Sequence, residues 1–164
     1  MVLLLQNNSL WSKDIMADGE KGTYTLGEHG CVITSVCNII NMHKKLKADS
    51  KPCNPRDLNK LVKENKGYTE DGLVIWSVLE KIIGAKIEPY FYLINERGKD
   101  NHYGNVNFQQ ENVYYIARLN TDTGYHFLNM LGVCSGNYLL FDVYDDRFLF
   151  VPSYEIKRII KITF

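Results

Sequence analysis

The chain carries no excess of charge: 19 basic residues balance 19 acidic ones, and formal net charge is zero. That balance leaves no electrostatic case for nucleic acid or an anionic membrane as a partner. Long apolar runs are also missing, and nothing approaches the roughly 20 residues a membrane helix needs. The opening Met1-Val2-Leu3-Leu4-Leu5 lacks a basic leader and stops at Gln6. It is too short for a secretory signal core and reads as a strand or an extended lead-in. Metal-ligand spacing of cysteine is lacking as well. Cys31, Cys37, Cys53 and Cys134 stand without metal-ligand spacing, so neither a metal nor a cofactor is expected. Free thiols in a reducing compartment are the simpler reading. Repeats and low-complexity tracts are absent too. What remains is ordinary for one globular domain spanning 1–164: 45% hydrophobic residues, with 11 tyrosines among its aromatics.

A largely apolar stretch, Val32-Ile33-Thr34-Ser35-Val36-Cys37-Asn38-Ile39-Ile40, follows Gly30-Cys31. It is apolar around most of a helical circumference, which suits a buried helix. The predicted helix runs from about Cys31 to about Met42. Cys31 then sits at the positive end of the helix dipole, a place that favours the nucleophilic thiolate. Gly30 is expected to allow a sharp turn and to leave open space before the helix.

Along the chain, residues 1–29 hold few regular elements. Trp11 is an expected anchor, Asp18 to Gly22 a turn, and Thr23 to Leu26 a short extended piece. A polar stretch follows from His43 to Lys51. A second helix starts at Asn54-Pro55, with Asn54 as N-cap and Pro55 at the first helical position. Its stripe is Leu58, Leu61 and Val62, and Gly67 ends it. A third helix is predicted from Gly72 to Ile83, stopped by Gly84. The period then changes to two. Lys86 to Tyr92 reads as a strand, with Pro89 marking an edge. Residues 94–110 read as a long polar loop. Strands are predicted over Val113–Leu119, Tyr125–Leu131, Tyr138–Tyr144, Arg147–Val151 and Ile159–Phe164, with a helical turn near Pro152 to Glu155. Helices first and an antiparallel sheet second give an α+β class: a helical half over about 1–84 and a sheet half over about 85–164.

Four histidines are candidate bases for Cys31. His29 is too close in sequence, and His43 lies some 18 Å away along the axis at a rise of about 1.5 Å per residue. His102 falls in the polar loop. His126 lies in a strand between Tyr125 and Phe127, where a structural histidine is the commoner outcome. The next strand raises its standing. Asp142 interrupts Leu139-Leu140-Phe141-Asp142-Val143-Tyr144, and a carboxylate in such a run needs a partner. A three-residue loop at Ser135-Gly136-Asn137 would pair Cys134 with Tyr138 and bring Asp142 to the face of His126. A two-residue loop would send it to the other face. Asn129 and Asp145 remain alternatives for the orienting role.

A Cys-His-Asp set has coherent chemistry. The thiolate attacks a carbonyl carbon, the imidazolium protonates the leaving amine, and the carboxylate fixes the ring tautomer. Oxyanion donors are available in the backbone N–H of Cys31 and the side chain of Gln6.

The order Gln6, Trp11, Gly30-Cys31 with Thr34-Ser35, His126, then Asp142 resembles the papain-like cysteine peptidases. It is most similar to the bacterial and phage branch related to bacteriocin double-glycine leader peptidases. The segment Asn54-Pro55 through Leu58-Asn59 to Gly67-Tyr68, with Gly72 and Trp76, resembles the helical part of those domains. One departure is Val143, where that family often has proline after the aspartate. The resemblance implies a papain-like fold, with the nucleophile helix packed on an antiparallel sheet. It also implies Cys31 as nucleophile, His126 as base, Asp142 as orienting residue and Gln6 as oxyanion donor. The implied reaction is hydrolysis of a peptide bond in a peptide or in peptidoglycan, in a cytoplasmic or phage-particle-associated protein. A transferase using the same triad, and a peptidase-fold binding or particle-assembly module without turnover, are the competing expectations.

Overall fold

The computed structural model describes residues 3–19, 22–46, 52–93, 106–122 and 124–164. The architecture is mixed α+β, with N-terminal helices ahead of a large C-terminal antiparallel sheet. The chain forms two compact units. The first holds residues 1–85 and 143–145, and the second holds 86–142 and 146–164.

In the first unit a small hairpin pairs β1 (Ile15–Gly19) with β2 (Gly22–Thr25), closing at Gly19 opposite Gly22. The sequence pattern predicted an extended piece only for the second of these strands. Residues 20 and 21 of the expected turn lie outside the described residues. The helices are α1 (Leu26–His29), α2 (Cys31–Leu46), α3 (Pro55–Glu64) and α4 (Trp76–Ile83). Every residue from Cys31 to Ile40 is buried, as the all-round apolar pattern predicts. Helix α2 runs past Met42, because Lys44, Lys45 and Leu46 are good helix formers. His43 is therefore a buried residue inside the helix rather than one beyond its end. Residues 47–51 of the polar stretch lie outside the described residues.

Helix α3 begins as its sequence indicates. Asn54 Oδ1 accepts the Asp57 N–H at 2.9 Å, and Pro55 occupies the first helical position. Leu58 and Val62 are buried, but Leu61 is exposed and leaves the predicted stripe. Helix α4 starts four residues later than expected. Gly72 has φ +72°, which no right-handed helix accommodates, and a Cβ there would meet the Tyr24 ring at 2.7 Å. The segment before α4 instead bridges Tyr68 to Val74, and Leu73 is exposed. Gly84, left-handed at φ +65°, closes α4 as expected.

The second unit is a six-stranded sheet. Its strands are β3 (Lys86–Leu93), β4 (Val113–Thr121), β5 (Gly124–Cys134), β6 (Asn137–Asp142), β7 (Arg147–Pro152) and β8 (Arg158–Thr163). They lie in the order β3-β8-β4-β5-β6-β7, every neighbour antiparallel. β3 is an edge, and its pairing with β8 is irregular between Glu88 and Tyr92, around Pro89. One core packs Val113, Tyr115, Ala117, Leu128, Met130, Tyr138, Leu140, Val151, Ile156 and Ile159. Residues 94–105 of the predicted loop, His102 among them, lie outside the described residues.

The hairpin between β5 and β6 takes the shorter of the two loops the sequence allows. Cys134 pairs with Asn137, so the turn has two residues, Ser135 at φ 50° and Gly136 at φ 79°. Positive φ at both positions matches the twist of the flanking strands. On its own, this turn would put Asp142 on the face opposite His126. A β-bulge reverses that outcome. Met130 pairs with Leu140, whereas Gly132 pairs with Leu139, leaving Leu131 as an extra residue in β5. Beyond the bulge Asn129 pairs with Phe141. The next rung sets Asp142 across from Leu128, two residues along β5 from His126 and on the same face.

Candidate functional site

In the first unit, Gly30 joins two helices. Its N–H bonds Leu26 O at 2.9 Å, and its own carbonyl accepts the Thr34 N–H at 2.9 Å to close the first turn of α2. No open space lies beside it, contrary to the sequence expectation. A Cβ at residue 30 would stand 2.4 Å from Leu26 O and 2.9 Å from Leu26 Cα, so close backbone approach is what requires glycine. Cys31 follows as the first residue of α2 and is buried, as are Thr34 and Ser35.

The lead-in segment is held to the same helix. Asn38 stands two turns beyond Cys31. Its Oδ1 accepts the Leu4 N–H at 2.7 Å, and its Nδ2 donates to Leu4 O at 3.2 Å. One side-chain amide thus satisfies both backbone groups of Leu4, a pairing a strand neighbour would otherwise supply. Trp11 is buried and donates from Nε1 to Leu5 O at 2.8 Å, which fits its expected role as an anchor. These contacts fix Gln6. Its N–H bonds Val143 O at 2.7 Å, and its Nε2 donates to Gly27 O at 3.0 Å. Gln6 is 1% exposed, and its Oε1 has no hydrogen-bond partner among the described residues. An amide nitrogen carries two hydrogens, so one N–H remains after the bond to Gly27.

In the second unit, His126 and Asp142 meet. His126 Nε2 lies 2.8 Å from Asp142 Oδ1, with the side chains 19% and 7% exposed. The pair continues the apolar face of the sheet: Leu119 stands opposite His126, and Leu140 precedes Asp142 on the same side. Shielding from water strengthens such a bond and makes loss of either partner costly. Arg147, opposite Asp142 on β7, brings Nε to 3.8 Å from Asp142 Oδ2. The carboxylate therefore lies between an imidazole and a guanidinium. Sequence reasoning missed Arg147. The signal was present, since a four-residue turn at 143–146 sets Asp142 across from Arg147.

The other candidates fall elsewhere. His29 is exposed and stacks edge-on against Tyr24, with ring centroids 5.0 Å apart. Asn129 is buried on the face of β5 opposite to His126, and Asp145 is exposed in the turn after β6. Of the orienting candidates, Asp142 is the residue bonded to His126. All four cysteines are free thiols. Among the described residues, no group of three or more His, Cys, Asp or Glu side chains is placed to hold a metal. No helix among them is long and apolar enough to cross a membrane.

Compared with known proteins, the chain matches no family model, and no curated protein matches it in sequence.

Proposed function

We propose that this chain is a papain-like cysteine peptidase or amidase, similar to the bacteriocin double-glycine leader peptidase branch. In this reading it hydrolyses a peptide bond in a peptide or a peptidoglycan cross-link, without a cofactor. The observation that supports the reading most is the half-buried His126–Asp142 pair at 2.8 Å. A strand histidine with a carboxylate on one ring nitrogen is what a general base needs, and the bulge at Leu131 supplies the register for it.

In the proposed reaction, Asp142 accepts the Nε2–H of His126 and so fixes the tautomer. Nδ1 is then the nitrogen that takes the proton of Cys31. The thiolate attacks the carbonyl carbon of the scissile bond. The oxyanion is met by the Cys31 N–H and by the second N–H of Gln6 Nε2. The imidazolium protonates the leaving amine, and a thioester remains on Cys31. Water, deprotonated by His126, attacks the thioester and releases the acid.

The test is incubation of the purified protein with a peptide library and, separately, with purified peptidoglycan, read by mass spectrometry. The reading predicts new termini in at least one mixture and none with Cys31→Ala. Cleavage of neither substrate by the wild-type protein, or equal cleavage by Cys31→Ala, would overturn it.

A further inference from the structure

A second pair of reactive groups lies in the first unit. Cys37 Sγ and Cys53 Sγ are 3.1 Å apart, although 16 positions separate them in sequence. Cys37 sits on α2, six residues after Cys31 and on a different face of the helix, and it is fully buried. Cys53 is half-buried and directly precedes Asn54, the N-cap of α3. Its backbone is held by one residue of α2: Asn41 Nδ2 donates to Cys53 O at 2.9 Å, and Asn41 Oδ1 accepts the Cys53 N–H at 2.7 Å. Asn41 is one turn beyond Cys37. The same helix thus supplies one sulfur and the clamp that presents the other.

We propose that Cys37 and Cys53 form a reversible dithiol–disulfide site that is oxidised by low-molecular-weight disulfides. The two sulfurs have different roles. Burial pushes the Cys37 thiol up. The hydrogen bond between the two sulfurs draws Cys53 down; burial opposes it, and Lys44 assists. Cys53, the half-buried member of the pair, is therefore the sulfur that meets the small disulfide first. It bonds to one sulfur of the small disulfide and expels the other as a thiolate. Cys37 then gives up its proton and attacks Cys53 Sγ, breaking the mixed disulfide and expelling the second thiolate; the two expelled thiolates take up the protons that Cys53 and Cys37 release. Two protein thiols and one small disulfide become one protein disulfide and two small thiols. The sulfurs must close by about 1 Å to reach the bond length of about 2.04 Å.

The experiment treats the native protein with excess oxidised glutathione, quenches with acid and alkylates in denaturant. A peptide map by mass spectrometry then locates the cross-link. The expected result is a Cys37–Cys53 linkage that dithiothreitol removes. In a Cys31→Ala/Cys134→Ala variant the alkylatable thiols fall from two to none. The proposal is overturned if Cys53 stops at the mixed disulfide, if both thiols stay free, or if the linkage takes in Cys31 or Cys134.

Discussion

Replacing Asp142 separates the ways its carboxylate acts. In Asp142→Ala, His126 Nε2 loses its 2.8 Å partner at a site where both side chains are largely shielded. A charge-assisted hydrogen bond of this kind contributes about 1.5–3 kcal/mol. Breaking one side of a buried pair costs up to about 3–5 kcal/mol. Arg147 adds little, since it is 58% exposed and 3.8 Å away, which limits its share to under about 1 kcal/mol. The expected loss for Asp142→Ala is thus about 2–4 kcal/mol. Asp142→Asn keeps an acceptor for Nε2 and forfeits the charge, so it loses about half as much. The assay is urea unfolding followed by far-UV circular dichroism, because Trp11 and Trp76, the two tryptophans, both belong to the first unit and fluorescence reports that unit. A double-mutant cycle with His126→Ala should return a coupling of about 2 kcal/mol. A coupling below about 0.5 kcal/mol would refute the energetic linkage read from the geometry.

Three further outcomes follow from the first unit. Asn38→Ala leaves both backbone groups of Leu4 without their partner, and urea unfolding should show a loss of about 2–3 kcal/mol. Gly30→Ala forces a Cβ against Leu26 O and should cost at least about 1–3 kcal/mol, seen as a lowered melting midpoint; an unchanged midpoint would contradict the close approach. On the proposed reaction, Gln6→Ala should lower kcat about 100-fold with KM little changed, whereas a role confined to bonding Gly27 would move the melting midpoint and leave kcat intact.

Much of the sheet was legible because period-two apolar patterns and turn residues mark its strands. The pairing order was less so. β8 inserts between β3 and β4, a long-range choice that no local pattern encodes. The same holds for the register at Asp142. A two-residue turn and a bulge at Leu131 produce the shared face that, without a bulge, only a three-residue loop would supply. A bulge leaves little local trace, and Gly132 beside it is the one hint. Gly72 misled the start of α4, since its stripe continues backwards while its φ is left-handed. That Cys31 begins a buried helix and that Asp142 needs a partner were both readable, the first from the apolar run after Gly30 and the second from the apolar strand around the carboxylate. The Cys37–Cys53 contact was not, because it depends on which separate elements meet, whereas Arg147 was within reach of a local reading of the turn at 143–146.

The most direct measurement of the central claim is the alkylation rate of Cys31 at neutral pH, followed for each cysteine by mass spectrometry. Activation by His126 predicts that Cys31 reacts at least about 10-fold faster than the exposed Cys134, and that His126→Ala removes the advantage. A Cys31 that reacts no faster than Cys134, or whose rate is unchanged in His126→Ala, would contradict the account.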